Sequence, residues 1–266
     1  MLCAKGGREL DQEWYCARVK GNIEELSKDG WYGKDLKDFS VIETWISNFP
    51  EGSILPYVLL DSLTIITDEQ RAACVRDIIA QIRALIYKKN IGLSDAELNK
   101  LFKEHLLTSS FVCACRMGDV ASSAAGVGKD YKKALGNSFQ ESEPIDLCRK
   151  IHDGSIKYVY IVDDFIGTGS QMDGYIRNES VAERCAASEG VGRCSIACLI
   201  QNCPDVEFTI LPIVAHSCGY KRLTDKYPNL KILYAYQIDE SYDLLSEKCA
   251  LYHVPEDKAT QWIEAI

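Results

Sequence analysis

The chain has 266 residues, 47% of them apolar, so it is long enough for one large domain or two modest ones and has the composition of a folded protein. Its net charge of −9 and pI near 5.1 argue against nucleic-acid binding, because a duplex needs a basic face to meet its phosphates; a local basic pocket for a small phosphorylated ligand stays open. No apolar run reaches the ~20 residues that span a bilayer, and the start MLCAKGGRELDQEW has no apolar signal core, so the chain is expected to be cytoplasmic with its 12 cysteines reduced.

Residues 1–106 read as a helical N-terminal region. Three Ser/Thr-x-x-Glu/Gln starts, Ser40 with Glu43, Thr67 with Gln70 and Ser94 with Glu97, let cap and third-position side chains satisfy orphan amides reciprocally. After Thr67 the apolar positions Val75, Ile78, Ile79, Ile82, Leu85 and Ile86 step by threes and fours, which predicts an amphipathic helix. ILPYVLLDSLTII (54–66) is apolar nearly all round and predicts a buried helix, and Trp14, Trp31, Trp45 and Phe49 are expected to anchor this region.

The texture changes from residue 107 onward. SSFVCAC (109–115), KYVYIV (157–162), RCSIACLI (193–200), FTILPIVA (208–215) and KILYAY (231–236) read as strands, with helical segments near 127–135, 143–152 and 174–189. Short continuous apolar strands alternating with helices predict an α/β domain over 107–266, its mostly parallel sheet flanked by helices. The end, EDKATQWIEAI, runs helically without a stop signal. Cys113-x-Cys115, Cys194-x3-Cys198 and Cys198-x4-Cys203 lack paired zinc-knuckle spacing, so the thiols read as small buried hydrophobes.

The chemistry gathers in YVYIVDDFIGTGSQ (158–171). Ligands of open α/β sheets bind beyond the carboxyl ends of strands, and Asp163 and Asp164 sit at such an end. Gly167, Thr168, Gly169 and Ser170 follow with close backbone approach, free amides and two hydroxyls, and the helix after them adds its positive end. Carboxylates beside a phosphate repel it unless they serve another part of the ligand. They accept from hydroxyls and from metal-bound water, so a ribose 5-phosphate, with its phosphate at one end and a diol in the middle, fits both halves.

This run resembles the signature of the phosphoribosyltransferase family: four apolar residues, Val159-Tyr160-Ile161-Val162, then Asp163-Asp164, then a Thr-Gly loop. The resemblance implies a type I phosphoribosyltransferase-like sheet. It also implies that Asp163 and Asp164 hold the ribose hydroxyls of phosphoribosyl diphosphate (PRPP) and its magnesium, while Gly167, Thr168, Gly169, Ser170 and Gln171 wrap the 5-phosphate. RMGDVASSAAGVGK (116–129) stands where the family carries a diphosphate loop, with Arg116, Ser122, Ser123 and Lys129 as its candidate contacts.

Gln171 departs from the family's Thr or Ser, Tyr160 and Phe165 are bulkier than usual, and the N-terminal helices are foreign to the salvage enzymes. A divergent branch that joins helices to an Asp-Asp-Phe-x-Gly-Thr/Ser-Gly loop, seen in bacterial conflict and phage-defence gene neighbourhoods, is most similar. That resemblance implies phosphoribosyl transfer to a nitrogenous acceptor, as an effector in defence. The alternative is a weak or inactive PRPP- or nucleotide-sensing module that signals to a protein partner through the N-terminal helices.

Other readings fare worse or stay local. A nucleotide hydrolase needs Gly-x4-Gly-Lys-Ser/Thr, but Ser123 replaces the first glycine and Asp130 follows Lys129. His105 continues the Leu98, Leu101, Phe102 face as a core-edge residue. His216 follows a strand, where it caps or packs or lines a base pocket, and Tyr220 or Tyr236 is a candidate to stack a base.

Overall fold

The computed structural model describes residues 12–28, 39–62, 66–114, 122–178 and 195–242. The chain divides into two compact units, residues 1–70 with those from 240 onward, and residues 71–239. The first contains helices α1 (Gln12–Lys28), α2 (Phe39–Ile46) and α3 (Leu55–Ser62). Tyr15, Val19 and Ile23 recur every fourth residue on α1 and meet Ile42 of α2 and Val58 of α3. The Tyr15 hydroxyl donates to Asp61 Oδ2 at 3.0 Å, and Arg18 donates to the same oxygen at 3.1 Å, which ties α1 to α3.

Several N-terminal expectations change here. The helix expected over 54–66 is one-sided: Leu55 and Val58 are buried, whereas Leu59 and Leu60 are half-exposed. Ser40 lies inside α2, and Glu43 pairs with Lys20 at 2.6 Å instead of closing a capping box. Trp14 is 62% exposed, so it is no core anchor of this unit, and Trp31 lies outside the described residues.

The second unit takes up the chain within α4 (Asp68–Lys89) and continues through α5 (Asp95–Leu107), β1 (Ser109–Cys113), α6 (Ser123–Leu135), α7 (Pro144–His152) and β2 (Tyr158–Ile166). Then come α8 (Ser170–Ile176), α9 (Ile196–Asn202), β3 (Glu207–His216), α10 (Ser217–Lys226), β4 (Leu230–Ile232) and β5 (Tyr236–Ile238). The Ser94–Glu97 capping box forms at α5, and Thr67 and Gln70 exchange the same pair of bonds at α4.

The sheet runs β1-β2-β3-β4, with β5 also paired to β3, and every pairing is parallel. Alternate strand residues serve opposite faces. Val112, Val159, Ile161, Phe208 and Ile210 join a core with Leu147 of α7, Met172 and Ile176 of α8, Leu199 of α9 and Leu223 of α10. On the other face Phe111 stacks on Tyr160 at 5.1 Å and meets Tyr131 of α6 at 5.9 Å. Burial on both faces explains the continuous apolar runs.

One expected strand is a helix. RCSIACLI (193–200) reads as a strand, but Ile196–Asn202 is α9: Ser195 caps it by accepting from Cys198 N at 3.2 Å, and Ile196, Leu199 and Ile200 bury one helical face. A short apolar run with spacing of three and four cannot be separated from a strand by apolarity alone. The helix expected near 174–189 begins earlier, at Ser170, and residues 179–189 lie outside the described residues, as do Arg116 and the expected C-terminal helix.

Candidate functional site

β2 does not stop before the acid pair. Its pairing with β3 continues through Asp163↔Pro212 to Ile166↔Ala215, so both carboxylates are carried within the last four residues of a central strand. Asp163 is 4% exposed and accepts from the Asp164 amide at 2.9 Å; Asp164 is half-buried. Burial, then hydrogen bonding to Asp164 and the Asp164 charge, push the Asp163 carboxyl up to about 8. A cation held beside the pair relieves that repulsion. Among the described residues no cluster of three or more metal-ligating side chains forms, and the acid pair there offers two carboxylates. Magnesium fits such a donor set, because it keeps waters and substrate phosphates as ligands and takes only one or two carboxylates.

The loop turns immediately after the strand. Gly169 has φ +75°, a left-handed conformation that disfavours any side chain, and α8 opens at the next residue. Thr168, Ser170 and Gln171 are exposed, with Thr168 Oγ1 donating to Ser170 Oγ at 3.1 Å. α8 has only seven residues, so the expected helix-dipole contribution is small. Positive charge comes instead from α10. Gly219 packs so closely that a β-carbon there would fall on the Gly167 carbonyl oxygen and 2.8 Å from the Gly169 nitrogen. One turn later Arg222 Nη1 donates to Ser170 Oγ at 2.6 Å.

Behind the loop Asp173 of α8 is 1% exposed and fully engaged. Lys226 Nζ reaches its two oxygens at 2.7 and 2.8 Å, Arg177 at 2.7 and 3.1 Å, and the Tyr227 hydroxyl at 2.7 Å. Burial pushes the Asp173 carboxyl up, but the bonds from Lys226, Arg177 and Tyr227 outweigh it and hold the group well below the usual carboxylate range. Gly219, Arg222, Leu223 and Lys226 thus form one stripe of α10 against the loop and α8. That stripe is mostly polar, so an apolar-period reading passes over it; its signal was a Gly-x-x-Arg-Leu-x-x-Lys spacing.

The remaining candidates divide. Ser122 caps α6 by accepting from Ala125 N at 3.2 Å, while Ser123 and Lys129 are exposed on that helix. β1 is parallel to β2, with Cys113 beside Val162, so the chain leaves both strands at the same sheet edge. Arg116 lies outside the described residues. His105 is at the other end of the strands: its Nε2 lies 2.6 Å from the Tyr160 hydroxyl and its ring 3.8 Å from that of Tyr158, and burial pulls its pKa down to about 4.

His216 caps α10, its Nδ1 accepting from the Cys218 amide at 3.1 Å. Tyr220 packs edge-on against Tyr234 at 5.8 Å. Tyr236 is 54% exposed and shares a sheet row, through Val214, with Phe165, which is 48% exposed. Phe165 is therefore an aromatic neighbour of the acids that the sequence marked only as bulky.

Among the described residues no helix is long and apolar enough to cross a membrane. A family model described as PRTase-CE matches residues 42–266. No curated protein matches. Among solved structures, the AQ2163 protein from Aquifex aeolicus aligns at 9% identity and a TM-score of 0.30, over 62% of this chain and 84% of that one.

Proposed function

The chain belongs to the PRTase-CE family and is phosphoribosyltransferase-like, and from that premise we propose that it binds the magnesium complex of PRPP and transfers the phosphoribosyl group to a nitrogenous acceptor. The observation that carries this reading is an acid pair, Asp163 buried and Asp164 half-buried, on a strand that runs into a hydroxyl-bearing glycine loop. Asp163 and Asp164 accept from the ribose hydroxyls or from metal-bound water, while the loop receives the 5-phosphate on backbone amides and the Thr168 and Ser170 hydroxyls. Magnesium supplies charge neutralisation for the departing diphosphate.

The C1–O bond to diphosphate breaks, its electron pair leaving with the diphosphate, and a C1–N bond forms, the acceptor nitrogen giving up its proton to the departing diphosphate or to water. Positive charge building on the ribose faces the acid pair. This is positioning and electrostatic stabilisation, and it asks for no protein nucleophile. A planar acceptor has Phe165 and Tyr236 at hand on the same sheet row. A role as an effector in bacterial defence is part of the proposal, supported by the resemblance of the Asp-Asp-Phe-x-Gly-Thr-Gly loop.

Calorimetric titration with PRPP, with and without magnesium, tests the ligand. Binding is expected to need magnesium and to disappear in Asp163→Asn with Asp164→Asn. Each single variant is expected to lower diphosphate release by roughly 100-fold or more in an acceptor screen. Unchanged binding in the double variant overturns the reading; binding without diphosphate release for any acceptor keeps the ligand and discards the transfer.

A further inference from the structure

We infer that Arg222 of α10 is a ligand-contacting residue that completes the 5-phosphate pocket from outside the loop and makes the pocket selective for a phosphate dianion. The inference rests on the proposed reading of the loop and extends it to a second element, far along the chain from the signature.

The charge arrangement motivates it. Three cations, Arg177, Arg222 and Lys226, approach the single buried Asp173 carboxylate, and they do not share it equally. Arg177 and Lys226 both reach it at 2.7 Å, whereas Arg222 comes no nearer than 4.0 Å. Among the described residues this cluster holds two positive charges in excess of its one negative, in a chain whose net charge is −9. The cation held least tightly by Asp173 is also the one that reaches the loop.

The hydrogen bonding points the same way. Ser170 Oγ accepts from Arg222 at 2.6 Å and from Thr168 Oγ1 at 3.1 Å. With its oxygen accepting twice, the Ser170 hydroxyl hydrogen is left to donate to an anion. Arg222 keeps further guanidinium N–H groups, its side chain is 48% exposed, and a planar fork suits two oxygens of one phosphate. The position also answers the Gln171 departure. Where the family's Thr or Ser supplies a hydroxyl, this chain has an exposed amide, and the neighbouring helix brings a full charge to the same loop.

α10 is fixed in place to do this. Gly219 lets its backbone touch Gly167 and Gly169, and Lys226 with Tyr227 locks its far end onto Asp173. Arg222 lies between those two attachment points, so its guanidinium needs little ordering when a phosphate arrives.

The test uses the full chain with two probes, ribose 5-phosphate and magnesium diphosphate, titrated into wild type, Arg222→Gln and Arg222→Lys, with thermal melts to check folding. The expected result is a roughly 10- to 100-fold loss of ribose 5-phosphate affinity in Arg222→Gln, an intermediate loss in Arg222→Lys, and unchanged magnesium diphosphate affinity in both. If wild type binds ribose 5-phosphate and Arg222→Gln binds it equally well, the role of Arg222 is overturned while the ligand class stands. Equal losses for both probes also overturn it, since they mark a displaced loop instead of a lost contact. If wild type binds neither ribose 5-phosphate nor PRPP, the reading of the loop fails and takes Arg222 with it.

Discussion

Asp163 is held under electrostatic strain, and that strain has a measurable sign. Its folded pKa of about 8 lies above the ordinary aspartate value near 3.8, so the folded chain keeps a proton that the unfolded chain releases. In the unliganded protein the stability that this group contributes is therefore fully present below about pH 4 and is lost as pH rises to about 8. Asp163→Asn keeps the shape, removes the charge and leaves an amide to donate to Asp164. It is expected to raise the melting temperature by about 2–4 °C near pH 8, although the same change is expected to weaken PRPP binding and turnover. A melting temperature that drops in this variant argues that the carboxylate is structural. His105 works in the opposite pH window. Its folded pKa of about 4 lies below the ordinary 6.5, so the unfolded chain takes up the proton first and stability is lost as pH falls from about 6.5 to about 4. Thermal melts of His105→Gln across that range are expected to show a flatter profile than wild type.

At the level of elements, the site is a contact between one loop and one helix. Gly219 has no room for a side chain, because a β-carbon would strike the Gly167 carbonyl and the Gly169 nitrogen, both backbone atoms that cannot swing aside. Gly219→Ala is expected to cost about 1–3 kcal/mol of stability and to weaken PRPP binding, measured by denaturant unfolding and calorimetry. Normal stability and binding would show that α10 gives way freely. This contact also marks the limit of what the sequence revealed. The acids and loop could be read because strand, charge and glycine turn are adjacent in the chain and each has a local signal. Gly219 and Arg222 act about 50 residues later, through a packing distance that no local period encodes. α9 departs from the strand its sequence suggests for a related reason: Ser195, Cys198 and the apolar residues between them suit a strand or a capped helix equally until burial chooses.

At the scale of the whole molecule, the α/β sheet was legible because strands covered on both faces write themselves as unbroken apolar runs, as in Val159–Val162 and Phe208–Leu211. The two helix layers were less so. Phe111, Tyr131 and Tyr160 meet across residues 111 to 160 only through register, which no single segment carries. The all-parallel order has a further outcome, set by synthesis. A nascent chain that has emerged through Gln171 already carries both carboxylates and the entire glycine loop. It has neither β3, which flanks the acids, nor α10, which walls the loop with Gly219 and Arg222. Arg177 reaches Asp173 from the same short stretch of chain, but the ribosome must deliver residues to Lys226 before Asp173 gains its second cation and the proposed pocket its positive wall. On the proposed reading ligand competence arrives late in translation, and a chain terminated between Gln171 and α10 displays the full signature while lacking the α10 wall.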